Sequence, residues 1–474
     1  MNSEIKTVDL AIIGGGGAAF AAAAKANELG VSAVLINKGL PMGGTCVNVG
    51  CVPSKFLLEA GSDIWRSLHP RFKSVAPSEA VQNFKAIMQE KKEIVLRNRR
   101  AKYADVLSHY KTVEYIEERA TFQGPGLIKA GGVTIRAKNT LIATGSSAVR
   151  VDLPGLETLS REDVLNNVDA FDLEVLPKSM IVIGGGPTGL EVAQIFHRFG
   201  AKITLVEGKD RVFAITEPEV SEMIAKNLVD DGILVHLNAK ANKVRRENGE
   251  IVLSITENGR EIELKAEKLF IAVGVRGNTP DLNLLTIGLD VDAKGFIEVD
   301  EQMRTKVPNI FAAGDVTGPP WLETVAAREG AIAVASAFDA KPISINYDAI
   351  PAAVFIEPQV AIAGITEAEL MRRIGKCSCR TVPLKFVPKA DITNQKNGVA
   401  KMVIHPDTKK IMGFHLVSPN AAEIIHEAAL AIQHGLTIYD IINMVHVFPS
   451  YSEVVKLTAQ AFTRDIQNMS CCVE

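Results

Sequence analysis

The chain has 474 residues, 47% apolar and 23% charged, with a formal net charge of −3. That length exceeds what one hydrophobic core organises and predicts two to four domains of ordinary globular composition. The near-balanced charge and an aromatic content of 5% exclude a nucleic-acid or anionic-membrane surface as the main partner. The long apolar, uncharged run at residues 10–24 contains four consecutive glycines and is shorter than the ~20 residues of a membrane helix. Glu4 and Asp9 precede it instead of a basic stretch, so it is expected to be strand, turn and helix and not a signal-peptide core. The protein is expected in the cytoplasm, with no membrane partner.

Residues 8–13 read as a buried strand, followed by Gly14, Gly16 and Ala19 in G-x-G-x-x-A spacing, an alanine-rich helix to residue 29 and a strand at 31–36. The spacing is a dinucleotide fingerprint. The first glycine makes the tight turn, the second lets backbone approach a pyrophosphate, and the third small residue packs helix on strand. Asn37 takes the ribose-facing position, where an acid is usual. A charged helix is predicted over 78–107, and an apolar strand at 140–145 ends in Thr144-Gly145. The fingerprint recurs at Gly184, Gly186 and Gly189, between strands at 180–183 and 203–206; the latter closes on Glu207. Two such units predict two nucleotides. Glu207 suits the ribose hydroxyls of NAD, whereas Lys209 and Arg211 suit a 2′-phosphate. From residue 346 strands are predicted at 352–356, 401–405 and 411–416, with helices from 421 and 451.

The six cysteines are 46, 51, 377, 379, 471 and 472, three local pairs and not a framework of staples. In a reducing compartment such pairs are catalytic or metal-binding more often than structural. Cys46 and Cys51 lie in Gly43-Gly44-Thr45-Cys46-Val47-Asn48-Val49-Gly50-Cys51-Val52-Pro53-Ser54-Lys55. Pro53 suits a helix start, and the positive end of that helix favours thiolate. A close thiol pair beside a bound redox cofactor is placed to pass electron pairs. Cys471 and Cys472 are adjacent, with Cα atoms ~3.8 Å apart. A relaxed disulfide wants ~4.4–6.8 Å, so they are expected to stay two thiols and to trap a soft metal ion.

The Gly43–Lys55 motif, with both fingerprints, resembles the flavin disulfide reductases, which include dihydrolipoamide dehydrogenase, glutathione reductase and mercuric reductase. The resemblance implies an α/β fold with two Rossmann-like nucleotide-binding domains and a C-terminal α+β dimerisation domain. It places an FAD domain at 1–150 and 276–345, an NAD(P)H domain at 151–275, and a dimerisation domain at 346–474. It implies FAD, NADPH with NADH possible, and a homodimer. Gly44, Thr45, Thr144 and Gly145 would then face the flavin, and Asp315 in Ala312-Ala313-Gly314-Asp315 would bind its ribityl chain. Cys51 would be the sulfur nearest the flavin and Cys46 the exchanging one. Lys55 and Glu191 match a lysine–glutamate pair at the flavin edge.

Reductases of organic disulfides need a proton donor, since a departing thiolate has a pKa of ~8.5. In the resembling enzymes this is a histidine before proline, oriented by a glutamate. The matching stretch is His446-Val447-Phe448-Pro449-Ser450-Tyr451-Ser452-Glu453. Glu453 remains, but phenylalanine stands at the histidine position. His446 would face away if the segment is extended, and His405-Pro406 reads as a hairpin turn. A flavin-side dithiol, no proton donor and a Ser-Cys-Cys ending resemble the mercuric reductases within the family. The resemblance implies reduction of Hg(II), presented as a thiol complex, with Cys46, Cys51, Cys471 and Cys472 as metal ligands. Some members carry tyrosine where Phe448 stands, and Tyr451 is the candidate substitute. Two readings compete: a dihydrolipoamide dehydrogenase-like reductase, and a metal-sequestering flavoprotein without turnover. Cys377 and Cys379 read as an incidental pair or an auxiliary metal trap.

Overall fold

The computed structural model describes residues 5–78, 83–341 and 344–469, which form two compact units. The first comprises residues 1–54, 88–150 and 273–345. Its strands are β1 (Ile5–Ile13), β2 (Ala33–Ile36), β3 (Val113–Ile116), β4 (Ala120–Gly124), β5 (Leu127–Ala130) and β6 (Val133–Ile142). They lie in the order β3-β2-β1-β6-β5-β4, with Ile310–Ala312 parallel to β6. The half from β3 to β6 is parallel, and β4 and β5 complete it as an antiparallel meander. Leu10, Ala11 and Ile12 are wholly buried, as an apolar run between two parallel neighbours requires.

Helix α1 (Gly17–Glu28) owes its length to alanine, the strongest helix former. Its buried face is Phe20 with Ala18, Ala19, Ala22, Ala23 and Ala26, and the alanines are small enough for close helix packing. The helix Glu323–Ala337 comes so near that a Cβ on Gly330 would lie 2.1 Å from the Ala18 carbonyl oxygen. The predicted helix over 78–107 begins later among the described residues, at Phe84–Arg99, and loosens into a π turn at Arg100–Ala104.

The second unit comprises residues 55–87, 151–272 and 346–474. Its parallel sheet is built on β7 (Ser179–Ile183), followed by the helix Pro187–Arg198, β8 (Lys202–Val206) and β9 (Leu234–His236). The order is β9-β8-β7, then Lys268–Ile271 and Val164–Leu165. A three-stranded antiparallel sheet spans Ala239–Glu247, Glu250–Glu257 and Arg260–Ala266. The C-terminal part is a five-stranded antiparallel sheet in the order Ala352–Val354, Gln359–Gly364, Ile411–Ser418, Val399–Ile404, Ser378–Pro383. The helix Ala421–His434 lies on that sheet, and Phe414, Leu416, Ile425 and Val455 share its core. The fold class is the expected one: two Rossmann-like nucleotide units and an α+β C-terminal part.

Candidate active site

The dithiol motif folds into two consecutive helices, α2 (Gly44–Val49) and α3 (Cys51–Leu68), hinged at Gly50. The second helix starts two residues before the proline that was expected to lead it. Cys51 is therefore its first residue, among backbone N–H groups that have no partner inside the helix. Pro53 falls in the first turn, where its missing N–H costs nothing. Cys46 is half-buried, Cys51 is exposed, and neither is in a disulfide. The hydrogen bond to Cys51 pushes the Cys46 thiol far up, helped by burial and by the nearby Glu323 charge. The proton of the reduced pair thus stays on Cys46, while Cys51 faces the positive helix end that favours thiolate.

Two residues that sequence reading did not single out complete these surroundings. Tyr103 packs edge-on against Phe20, with ring centroids 4.8 Å apart, and its ring would meet a Cβ on Gly43 at 2.9 Å. Burial, then Glu323 and the two sulfurs, hold its phenol protonated. Glu323 opens the helix Glu323–Ala337, and burial followed by the charge of Asp315 raises its carboxyl to about 7. In sequence it is an ordinary first-turn acid; only the tertiary placement marks it.

The first fingerprint forms a glycine-lined cradle. Gly14 has φ +133, and a Cβ there would lie 2.0 Å from the Ala143 carbonyl oxygen. Gly16 caps α1 without a side chain, and Ala19 is wholly buried beneath it. Gly44 approaches so closely that its Cβ would be 2.7 Å from the Gly16 Cα, with Thr45 next along α2. Asn37 donates to the Leu40 carbonyl at 3.0 Å and lies over Gly15. The Thr144 hydroxyl is buried with no hydrogen-bond partner among the described residues. Asn278 holds that turn, its side chain donating to the Thr144 carbonyl and its backbone N–H to the Gly145 carbonyl, each at 3.0 Å. Asp315 accepts from Ser146 at 2.9 Å, and burial raises its carboxyl. An uncapped helix N-terminus, bare backbone and an orphaned hydroxyl fit a flavin dinucleotide.

In the second unit Gly186 likewise caps its helix without a side chain. A Cβ on Gly189 would lie 1.9 Å from the Gly184 carbonyl oxygen, so the helix is seated directly on the turn. Glu207 accepts from the backbone N–H of Gly185 at 2.6 Å and of Lys209 at 2.8 Å. Lys55 donates to both oxygens of Glu191 at 2.9 Å. Phe355 frames this pair: its N–H donates to Glu191 at 3.0 Å, and its ring lies 4.5 Å from the lysine ammonium. Nothing in sequence marks Phe355, which arrives from the C-terminal part of the unit.

At the C-terminal stretch Phe448 is 49% exposed. The Glu453 carboxylate accepts from the Ser450 N–H at 2.9 Å, and burial raises it. His446 pairs with Glu427 at 2.9 Å, which raises its pKa. Tyr451 is 7% exposed, with its hydroxyl bonded to Thr393 and, at 3.4 Å, to Gln395. Cys471 and Cys472 lie outside the described residues. Among those described, no group of three or more His, Cys, Asp or Glu could hold a metal ion, and no helix is long and apolar enough to cross a membrane.

The chain matches the pyridine nucleotide-disulphide oxidoreductase family over residues 8–330 and that family's dimerisation domain over 350–459. It belongs to this family, an oxidoreductase family that implies FAD and a pyridine nucleotide, and its dimerisation domain supports a homodimer. It is 34% identical to a mercuric reductase of Staphylococcus aureus, over 98% of this chain and 84% of that one. A mercuric reductase of Streptomyces lividans is 36% identical, over 98% of each chain. A mitochondrial dihydrolipoyl dehydrogenase of Caenorhabditis elegans is 32% identical, over 96% of this chain and 92% of that one. The fold is that of the HOCl-induced flavoprotein disulfide reductase RclA from Escherichia coli, with TM-score 0.84 and 24% identity over 96% of this chain and 100% of that one.

Proposed function

We propose that this chain is a cytoplasmic NAD(P)H-dependent reductase of Hg(II), taking the ion as a thiol complex and releasing elemental mercury. The observation that carries the reading is Phe448. A phenyl ring has no transferable proton at the position where organic-disulfide reduction needs one, and Glu453 is bound to the Ser450 backbone instead. Reduction of Hg(II) needs no acid for a departing sulfur. The mercuric reductases among the relatives support the same substrate.

The net reaction is Hg(II) plus NADPH giving Hg(0), NADP⁺ and one proton. When bound, FAD and the nicotinamide supply the electron pair at the thiol site. Gly14, Gly16, Ala19, Asn37, Gly44, Thr45, Thr144, Gly145 and Asp315 hold the flavin, and Gly184, Gly186, Gly189 and Glu207 the nicotinamide. Lys55, fixed by Glu191, stabilises negative charge at the flavin edge. Cys46, the exchanging sulfur, loses its proton and takes the incoming ion, and the Cys51 thiolate then closes on it. Two Hg–S bonds form as the two carrier thiols leave. Cys471 and Cys472 collect the ion beforehand and pass it inward by the same exchange. Tyr451, with its hydroxyl engaged by Thr393, has no part in this scheme. NADPH is the reductant, and NADH also serves because Glu207 accepts from ribose hydroxyls.

Oxidation of NADPH and of NADH, assayed with Hg(II) in excess thiol, with lipoamide and with glutathione disulfide, tests the proposal. Mercury vapour should appear stoichiometrically with oxidised nucleotide. Brisk turnover of lipoamide with none of Hg(II) would establish the dihydrolipoamide dehydrogenase-like alternative. Tightly held Hg(II) without nucleotide oxidation would establish sequestration.

A further inference from the structure

We propose that Cys377 and Cys379 form a second, non-redox metal site that takes a soft, two-coordinate cation of the Hg(II) class. Cys377 precedes the edge strand Ser378–Pro383 and Cys379 is that strand's second residue. Alternate residues of an extended chain share a face, and these two converge. The Cys377 thiol donates to one oxygen of Glu367 at 3.4 Å, and the Cys379 thiol donates to the other at 3.2 Å. Both sulfurs are half-buried, within reach of solvent, and they pack against the small apolar cluster of Ile365, Leu370 and Val403.

Geometry keeps the pair open. Residues two apart on an extended chain are ~6.6 Å from each other, and their Cβ atoms point the same way. A disulfide needs Cβ atoms ~3.5–4.5 Å apart. The two thiols therefore cannot satisfy each other without backbone movement, whereas an ion bridging them extends their reach by two metal–sulfur bonds.

Charge does not oppose the exchange. Behind Glu367 the ammonium of Lys401, 3% exposed, pairs with Glu367 at 2.8 Å and with Glu217 and Glu219 at 3.0 Å. Three carboxylates against one ammonium leave the cluster two negative charges in excess. Burial, then the hydrogen bond to Glu367 and its charge, hold both thiols protonated. One divalent cation replacing two thiol protons leaves the local charge unchanged: two S–H bonds break, two metal–sulfur bonds form, and both protons go to solvent. No electrons move. Glu367 is already paired with Lys401, and among the described residues no group of three or more His, Cys, Asp or Glu could hold a metal ion, so the site selects ions content with two thiolates and rejects Zn(II), which wants four ligands.

The proposal does not depend on catalysis, and the test separates the two. The flavin-loaded Cys46→Ser/Cys51→Ser/Cys471→Ser/Cys472→Ser protein keeps only this pair of thiols and cannot turn over. Titrated anaerobically with mercuric chloride, it should retain one Hg(II) per chain through gel filtration and release two protons per ion. Alkylation of Cys377 and Cys379 by iodoacetamide should be blocked, and zinc chloride should do none of this. Adding Cys377→Ser/Cys379→Ser should abolish retention. Unblocked alkylation, retention unchanged by the added serines, or an ion shared between two chains would each overturn the proposal. If the added serines impair folding, proton release and alkylation in the parent protein decide the matter.

Discussion

Cys46 and Cys51 differ in surroundings more than in chemistry. One is half-buried and keeps its proton through a hydrogen bond, while the other opens a helix of 18 residues. Under the proposed reaction, replacing either by serine leaves a single soft ligand where the ion needs two. Cys46→Ser and Cys51→Ser are each expected to lower Hg(II)-dependent NADPH oxidation by at least ~10³-fold, the scale for losing an essential nucleophile. Nucleotide binding should be intact by fluorescence titration, and a residual rate near wild type would remove the thiol pair from the mechanism.

Glu323 makes a pH prediction at the same scale. Its carboxyl, ordinarily at 4.5, is raised to about 7 by burial and by Asp315. The folded chain therefore binds the proton more tightly than the unfolded chain. The stability this contributes is complete below the unfolded value and is lost as pH rises through about 7. Glu323→Gln, neutral throughout, should match the wild type near pH 4 and exceed it by ~1–3 kcal/mol near pH 8. Thermal midpoints measured across that range check it; parallel profiles for the two proteins would refute the buried-carboxyl account.

At the scale of elements, each nucleotide cradle depends on a helix seated on the turn before it. Gly189 lies 1.9 Å, measured to a built Cβ, from the Gly184 carbonyl, so any side chain must lift the helix Pro187–Arg198. Gly189→Ala is expected to cost ~1–3 kcal/mol, as overpacking does, and to raise the KM for NADPH more than tenfold. The flavin absorbance should persist, because its cradle lies in the other unit. Loss of flavin alongside the KM effect would mean that the helix shift is not confined to its own sheet.

For the whole molecule, the exposed apolar segment before the last helix is the informative surface. Val445 is 82% exposed, Val447 76% and Phe448 49%, within the stretch that matches a dimerisation domain. Contiguous apolar side chains in water mark an interface. Val445→Asp/Val447→Asp should convert the dimer to monomer in sedimentation velocity. An unchanged dimer would place the interface elsewhere in the 350–459 domain.

Sequence alone determined the two nucleotide folds and the thiol pair, and it shows Phe448 before Pro449. Each is a local pattern: glycine spacing around one turn, two cysteines five apart, a phenyl ring before a proline. Local sterics and chemistry suffice to decide such features. Tertiary structure alone decided that α3 begins at Cys51, that Phe355 frames Lys55 and Glu191, and that Glu323 is a half-buried acid near the sulfurs. It also brought Cys377 and Cys379 onto one carboxylate, with Lys401 behind it. These depend on residues brought together from distant parts of the chain, and on the burial that folding imposes. Desolvation and the field of non-local charges, which no short pattern encodes, set the protonation of those groups.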